Sequence, residues 1–248
     1  MPFAEKTTPA VSILMLTHNR LESTIRCLDS LDRTLRGHNV ELMVLDNAST
    51  DGTQGFVADL PIVMRSRLPV TVRLEDSNLG VAKGRQKLAQ FADGDVLLFL
   101  DSDVVVTDVM ETNWLKQLLA PFEDEAVGVV GTAGSLVIFA TDANSQPTIF
   151  VPSGEGKCDV VSGWCMAVRA GLFQYVAFDT EYGPFFEEDS DLCLQVREKG
   201  YDVVMVAVDG IEHQPGNSGA EYANRQQTLQ RFRDKWEGKG VVKMEGGW

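Results

Sequence analysis

Val96-Leu97-Leu98-Phe99-Leu100-Asp101-Ser102-Asp103 is the stretch from which the rest of this chain can be read. An unbroken apolar run with polar residues at both ends predicts a strand buried on both faces, as in a parallel sheet covered by helices. The run ends in carboxylates at i and i+2, which point to one side because strand side chains alternate with period two. Anions held that close repel unless a cation lies between them, and hard carboxylate oxygens suit Mg²⁺ or Mn²⁺. Asp101 and Asp103 are therefore candidates for a divalent-metal and diphosphate site. The plainer reading is an Asp-rich turn that caps the next helix.

Working outward, Val11–Thr17 and residues 40–45 are short β-rich apolar runs. Between them Leu21, Ile25, Leu28, Leu31 and Leu35 recur at helical spacing, which makes a β-α-β unit. A polar turn at 46–53 opens a second helical stretch, 70–74 is a further strand, and 81–91 is a helix leading into 96–100. This alternation predicts an α/β fold with a mainly parallel sheet and helices on both faces, binding its ligands beyond the carboxyl ends of the strands. Thr17-His18-Asn19-Arg20, Asp46-Asn47 and Asp101-Ser102-Asp103 all fall at such ends. Beyond Asp103 a helix at 114–122 precedes shorter strands at 127–130, 136–139, 148–151 and 160–168, a smaller sheet of mixed pairing. A short helix around Leu192 and Val196 stops at Gly200, a strand follows at 201–208, and a last helical stretch runs over 221–236.

With 248 residues, 44% of them apolar, the chain can bury one sizeable core. The expectation is one domain over residues 9–218 and a short helical tail, 219–248. Lys and Arg number 22 against 36 Asp and Glu, a net charge of −14, which argues against nucleic acid or an anionic membrane surface as partner. No apolar run approaches the roughly 20 residues of a membrane span. Met1-Pro2-Phe3-Ala4-Glu5-Lys6 lacks a basic region followed by an apolar core, so a cytoplasmic protein is expected. Cys27, Cys158, Cys165 and Cys193 show no C-x-x-C spacing and read as buried reduced thiols, not zinc ligands.

Other motifs carry chemistry beside an ordinary structural reading. Asp46, at a strand tip, can accept from a nucleobase N–H while Thr17 frames the same pocket; the loop behind it also supplies helix caps at Ser49 or Asp51. Asn78-Leu79-Gly80 turns into a helix with Lys83 and Arg85 in its first turns, a place that favours anions. Neither G-x-x-x-x-G-K-[ST] nor G-x-G-x-x-G occurs. Glu187-Glu188-Asp189-Ser190-Asp191 crowds carboxylates whose repulsion and burial can raise one pKa into the range of a general base. Asp191 is read as the complement of the following helix dipole. Trp164, beside Gly163, can stack on a sugar face or pack in the core. His213 is expected in a loop, as a third metal ligand or a solvated residue.

Taken in order, Thr17-His18-Asn19-Arg20, Asp46 to Thr53, Asn78-Leu79-Gly80, Asp101-Ser102-Asp103, Ser162-Gly163-Trp164, Glu188-Asp189-Ser190-Asp191-Leu192 and His213 resemble glycosyltransferase family 2, inverting enzymes of the GT-A fold. The resemblance implies transfer of one sugar from a nucleotide-diphosphate donor, UDP preferred with GDP and dTDP open, to a carbohydrate, lipid-linked or other hydroxyl acceptor. It places Thr17, Asn19, Arg20, Asp46, Asn78, Lys83, Arg85, Asp101 and Ser102 around the donor, with Thr17, Asp46 and Arg85 at the base. Asp103 becomes the main ligand of Mn²⁺ or Mg²⁺, joined by Asp101 and His213. Gly163 and Trp164 face substrate, and Asp189, with Glu188 as the alternative, deprotonates the acceptor. Lys83-Gly84-Arg85-Gln86 departs from the usual Arg-Asn ending of that helix, and the acidic cluster is longer than usual. Two other readings compete: a nucleotide- or carbohydrate-binding module without catalysis, and a sugar-1-phosphate nucleotidyltransferase. The latter calls for a Gly-rich basic loop after the first strand, which Thr17-His18-Asn19-Arg20 is not.

Overall fold

The computed structural model describes residues 10–64, 68–107, 113–139, 149–183, 186–214 and 225–241. The first half alternates strand and helix: β1 (Val11–Thr17), α1 (Leu21–Thr34), β2 (Val40–Asp46), α2 (Thr53–Ala58), α3 (Leu60–Val63), β3 (Val70–Leu74), α4 (Val81–Ala89) and β4 (Val96–Asp101). Then come β5 (Val104–Val106), α5 (Trp114–Leu119), β6 (Val127–Gly131), β7 (Gly134–Ile138), β8 (Ile149–Pro152), β9 (Gly156–Cys158), β10 (Val160–Val161) and β11 (Cys165–Arg169). The last elements are α6 (Glu188–Glu198), β12 (Asp202–Met205), β13 (Ile211–His213) and α7 (Arg225–Trp236).

One eight-stranded sheet of order β3-β2-β1-β4-β11-β6-β12-β9 spans the molecule. β3, β2, β1 and β4 are parallel neighbours, β11 runs antiparallel between β4 and β6, and β12 pairs parallel with β6. β7, β8 and β10 form a small antiparallel sheet, and β5 pairs with β13. The fold is thus the expected mainly parallel α/β sheet with a smaller sheet beside it.

Period-two alternation divides each central strand between two cores. Leu14, Leu97 and Phe99 face one side with Leu192, Leu194, Phe232 and Trp236, while Ile13, Met15, Leu98 and Leu100 face the other with Leu28, Leu31, Trp114 and Leu118. This is why β4 reads as an unbroken apolar run. α7 packs into the first of these cores through Phe232 and Trp236, both essentially inaccessible. α4 lies so close to β1 that a Cβ on Gly84 would come within 2.6 Å of Leu16 Cδ1.

Several boundaries differ from expectation for local reasons. The run 160–168 is two strands in two sheets, β10 and β11, separated by the turn Ser162-Gly163-Trp164. The helix from Trp114 stops at Leu119 and continues as a 3-10 turn, Ala120–Glu123, where Pro121 has no N–H to donate. His213 is on a strand, not in a loop, and the 221–224 part of the last expected helix lies outside the described residues.

Candidate active site at the carboxyl edge of the sheet

Register brings the chemistry together. Thr17 lies opposite Asp46 across β1 and β2, and Leu16 lies opposite Asp101 across β1 and β4, so the strand tips form one ledge. A cavity of about 860 Å³ opens above it. Thr17, Arg20, Asn78, Arg85, Asp101, Ser102, Asp103, Gly163, Trp164, Glu188, Asp189 and His213 all line it; Asn19, Asp46 and Lys83 do not.

Those three residues have other surroundings. Lys83 is exposed on α4. Asn19 staples two loops, its N–H donating to Ser49 Oγ at 2.7 Å and its Oδ1 accepting from the Thr50 N–H at 2.8 Å. Asp46 Oδ1 accepts from the Ser49 N–H at 3.0 Å, while its Oδ2 is buried without a hydrogen bond. Asn47, which the motif reading left without a role, knits the ledge: its Oδ1 accepts from the Leu79 N–H at 2.7 Å and its Nδ2 donates to Asn78 Oδ1 at 2.9 Å.

Asp101, Asp103 and His213 each offer a ligand atom, all within 4.8 Å of one another. His213 arrives through the pairing of β13 with β5, which sets it opposite Val104. Its Nε2 is 3.2 Å from Asp103 Oδ1, an oxygen that is buried yet receives no hydrogen bond. Arg20 Nη1 donates to the other oxygen, Oδ2, at 3.0 Å. The imidazole stacks on Trp164 with centroids 5.0 Å apart and planes 2° from parallel. One face of Trp164 is therefore taken by His213 and is not available to a sugar, and the stack fixes the imidazole plane.

The opposite wall is the turn into α6, where Phe186 and Glu187 both adopt left-handed backbone at φ 78° and 69°. Side-chain-bearing residues avoid that region, so the turn is held by its contacts. Asp189 Oδ2 accepts from the Gly163 N–H at 2.6 Å and Oδ1 from the Ser190 N–H at 2.7 Å. Glu188 accepts from buried Arg85 Nη1 at 2.9 Å, and Arg85 Nη2 reaches Asp101 Oδ1 at 2.8 Å and the Gly163 carbonyl at 2.9 Å.

Crowding and burial move the ionisation of these groups. Burial, then repulsion from Asp189 and Glu188, pushes Glu187 from 4.5 up to about 8. Glu188 is raised by burial and by Asp189, with Arg85 opposing. Asp101 is raised by burial, opposed by Arg85 and reinforced by Asp103. Burial works against the Arg85 cation, yet Asp101 and Glu188 hold its pKa above the usual value.

Asp191 lies in the acidic first turn of α6, where the helix-dipole reading puts it, but it has a further set of partners. It is fully buried, with Oδ1 accepting from Tyr182 Oη at 3.1 Å and Trp236 Nε1 at 2.8 Å, and Oδ2 from Gln195 Nε2 at 2.7 Å and Lys235 Nζ at 2.9 Å. α7 side chains reach it, a partnership that local sequence cannot signal. The cavity also contains Thr132, Ser135, Ser153, Phe150 and Arg225, none of which the motifs single out. The four cysteines are free and buried, as expected.

This ledge, with its cluster of Asp101, Asp103 and His213, lies on a fold of the GT-A class. PcManGT, a mannosyltransferase from Pyrobaculum calidifontis solved with GDP-Man and Mn²⁺, superposes with a TM-score of 0.68 at 19% identity, over 93% of this chain and 64% of that one. GalNAc-T7, solved with UDP, GalNAc and Mn²⁺, gives a TM-score of 0.69 at 16% identity, over 90% and 47% of the two chains. The chain belongs to glycosyl transferase family 2, whose family model matches residues 12–147, more than half its length. Among curated relatives, the uncharacterized glycosyltransferase YfnE of Bacillus subtilis (strain 168) is 30% identical over 109 residues, 42% of this chain and 26% of that protein. The chain thus matches about a quarter of that relative's length. Among the described residues no helix is long and apolar enough to cross a membrane.

Proposed function

We propose that the protein is a metal-dependent inverting glycosyltransferase that moves a single sugar from a nucleotide-diphosphate donor, UDP by preference, to an acceptor hydroxyl. The observation that carries this reading is the buried, unbonded Oδ1 of Asp103 beside Asp101 and His213, at the strand edge where α/β sheets take ligands. A buried carboxylate oxygen that receives no hydrogen bond and is faced only by an imidazole at 3.2 Å is costly, and a cation removes the cost. Two carboxylates and a neutral imidazole suit Mn²⁺ and also accept Mg²⁺. When bound, the ion would supply Lewis-acid stabilisation to the departing diphosphate.

The chain's own residues provide the rest. Thr17, Asn78 and Ser102 line the donor end. Arg20 supplies a cation beside Asp103 for phosphate oxygens. Asp189, half-buried and facing the cavity, is the base: it takes the proton of the acceptor hydroxyl as that oxygen bonds to the anomeric carbon. The bond from that carbon to the diphosphate breaks on the opposite face, which inverts the centre and releases the nucleoside diphosphate. Backbone N–H bonds to both Asp189 oxygens aim the carboxylate. Glu188 is less suited, because its carboxylate is engaged by Arg85.

Calorimetric titration with UDP, GDP and dTDP, each with and without Mn²⁺, tests the reading. Metal-dependent binding of one nucleotide, followed by turnover of its sugar conjugates, is expected. Binding without turnover on any sugar panel would point instead to a non-catalytic nucleotide-binding module.

A further inference from the structure

Among the described residues Arg85 is bonded to both walls of the cavity. It leaves α4 on the donor side and is only 5% exposed. Nη2 sits 2.8 Å from Asp101 Oδ1 and 2.9 Å from the Gly163 carbonyl, and Nη1 sits 2.9 Å from Glu188 Oε1. Gly163 in turn donates its N–H to Asp189 Oδ2 at 2.6 Å. A continuous polar path therefore runs from a metal-ligand carboxylate to the base. We infer that Arg85 is a positioning residue that couples Asp101 to the Glu188–Asp189 turn, and does not contact the nucleobase as the family resemblance implies. The inference rests on the glycosyl-transfer reading for the roles of the two walls.

Guanidinium geometry makes the coupling stiff. Its donors are fixed in one plane, so a rotation that loosens the bond to Asp101 also disturbs the bond to Glu188. A flexible ammonium has no such fork. The seat for that plane is cut by Gly163, where an added Cβ would fall directly against Arg85 Nη1. Burial removes the alternative that Arg85 reaches out to a base, since its cation is balanced in place by two carboxylates. Loss of the Glu188 charge leaves Arg85 bound more tightly to Asp101, in competition with a metal ion there.

A double-mutant cycle tests this, with Mn²⁺ affinity read by electron paramagnetic resonance of free Mn²⁺ in the presence and absence of UDP. Glu188→Gln touches no metal ligand, yet is expected to weaken Mn²⁺ binding about fivefold or more when Arg85 is present, and by less than about twofold in an Arg85→Gln background. Gly163→Ala displaces the guanidinium without removing a charge. It is expected to reproduce the weaker Mn²⁺ binding and to lower kcat about a hundredfold with donor KM little changed. If Arg85→Gln does not fold, Glu188→Gln and Gly163→Ala in the Arg85 protein carry the test alone. Unchanged Mn²⁺ affinity in Glu188→Gln overturns the coupling, as does an altered preference among UDP, GDP and dTDP in Arg85→Gln. Turnover without coupling sinks the Arg85 role alone, whereas coupling without any turnover supports that role and sinks the glycosyl-transfer reading.

Discussion

Replacing Asp191 with Ala removes a fully buried carboxylate two residues beyond the proposed base and takes the acceptor from Tyr182 and Trp236, while Gln195 keeps the Ala177 carbonyl and Lys235 keeps Asp179. Breaking one side of a buried ion pair costs about 3–5 kcal/mol, here chiefly because the buried Tyr182 and Trp236 donors lose their acceptor without regaining water. For a protein of 248 residues each kcal/mol moves Tm by about 2–4 °C, so a fall of roughly 6–20 °C is expected. Asp191→Asn keeps an oxygen for Tyr182 and Trp236 but turns an amide toward the donors of Gln195 and Lys235, and should cost about 1–3 kcal/mol. Thermal unfolding followed by circular dichroism reads both. Asp29→Ala is the control: Asp29 pairs with Arg33 on α1 with both side chains about 60% exposed, and its loss should stay within about 0.5 kcal/mol. A shift for Asp191→Ala no larger than that of Asp29→Ala would refute the idea that this carboxylate holds α7 to α6.

Asp103→Ala is expected to abolish Mn²⁺-dependent nucleotide binding in calorimetry while leaving the far-ultraviolet spectrum intact; retained metal dependence would move the site elsewhere. Asp189→Asn should keep nucleotide and Mn²⁺ affinity and lower kcat by about 10²–10⁴, the usual worth of a general base, with unchanged transfer removing it from that role. Glu187 is raised from 4.5 to about 8, so it favours the folded state fully below pH 4.5 and loses that contribution as pH climbs through 8. Glu187→Gln should therefore flatten the fall in Tm between about pH 5 and 8, and an identical pH profile in the two proteins would contradict the burial argument.

The ledge of strand tips was legible because its parts are local. Asp101 follows an apolar run, Asp46 and Thr17 end others, and parallel strands with matched lengths must place such ends side by side. Their order along the chain was enough to place it in a family. What was not legible depends on contacts between distant segments. The stack of Trp164 on His213 is not legible locally, because His213 reaches it through a strand pair of only three residues a side. Residues 160–168 looked like one strand, since nothing in their hydropathy marks the point where the chain leaves the small sheet for the large one. Asp191 reads as a helix-dipole partner and lies in that first turn, but its burial is not legible because its partners Lys235 and Trp236 lie on the last described helix.

The β5–β13 pairing has a consequence for the connectivity of the chain. Asp103 and His213 enclose most of the second half of the sequence, including β6, β11, α6 and β12, within one loop closed by a pair of short strands. An ion held by those two residues would act as a removable crosslink, and closing a long loop in this way would restrict the unfolded chain more than a local ligand pair can. Chelation should then do more than silence the site: it would loosen β13 from β5, so that amide exchange in Ile211–His213 tracks metal content.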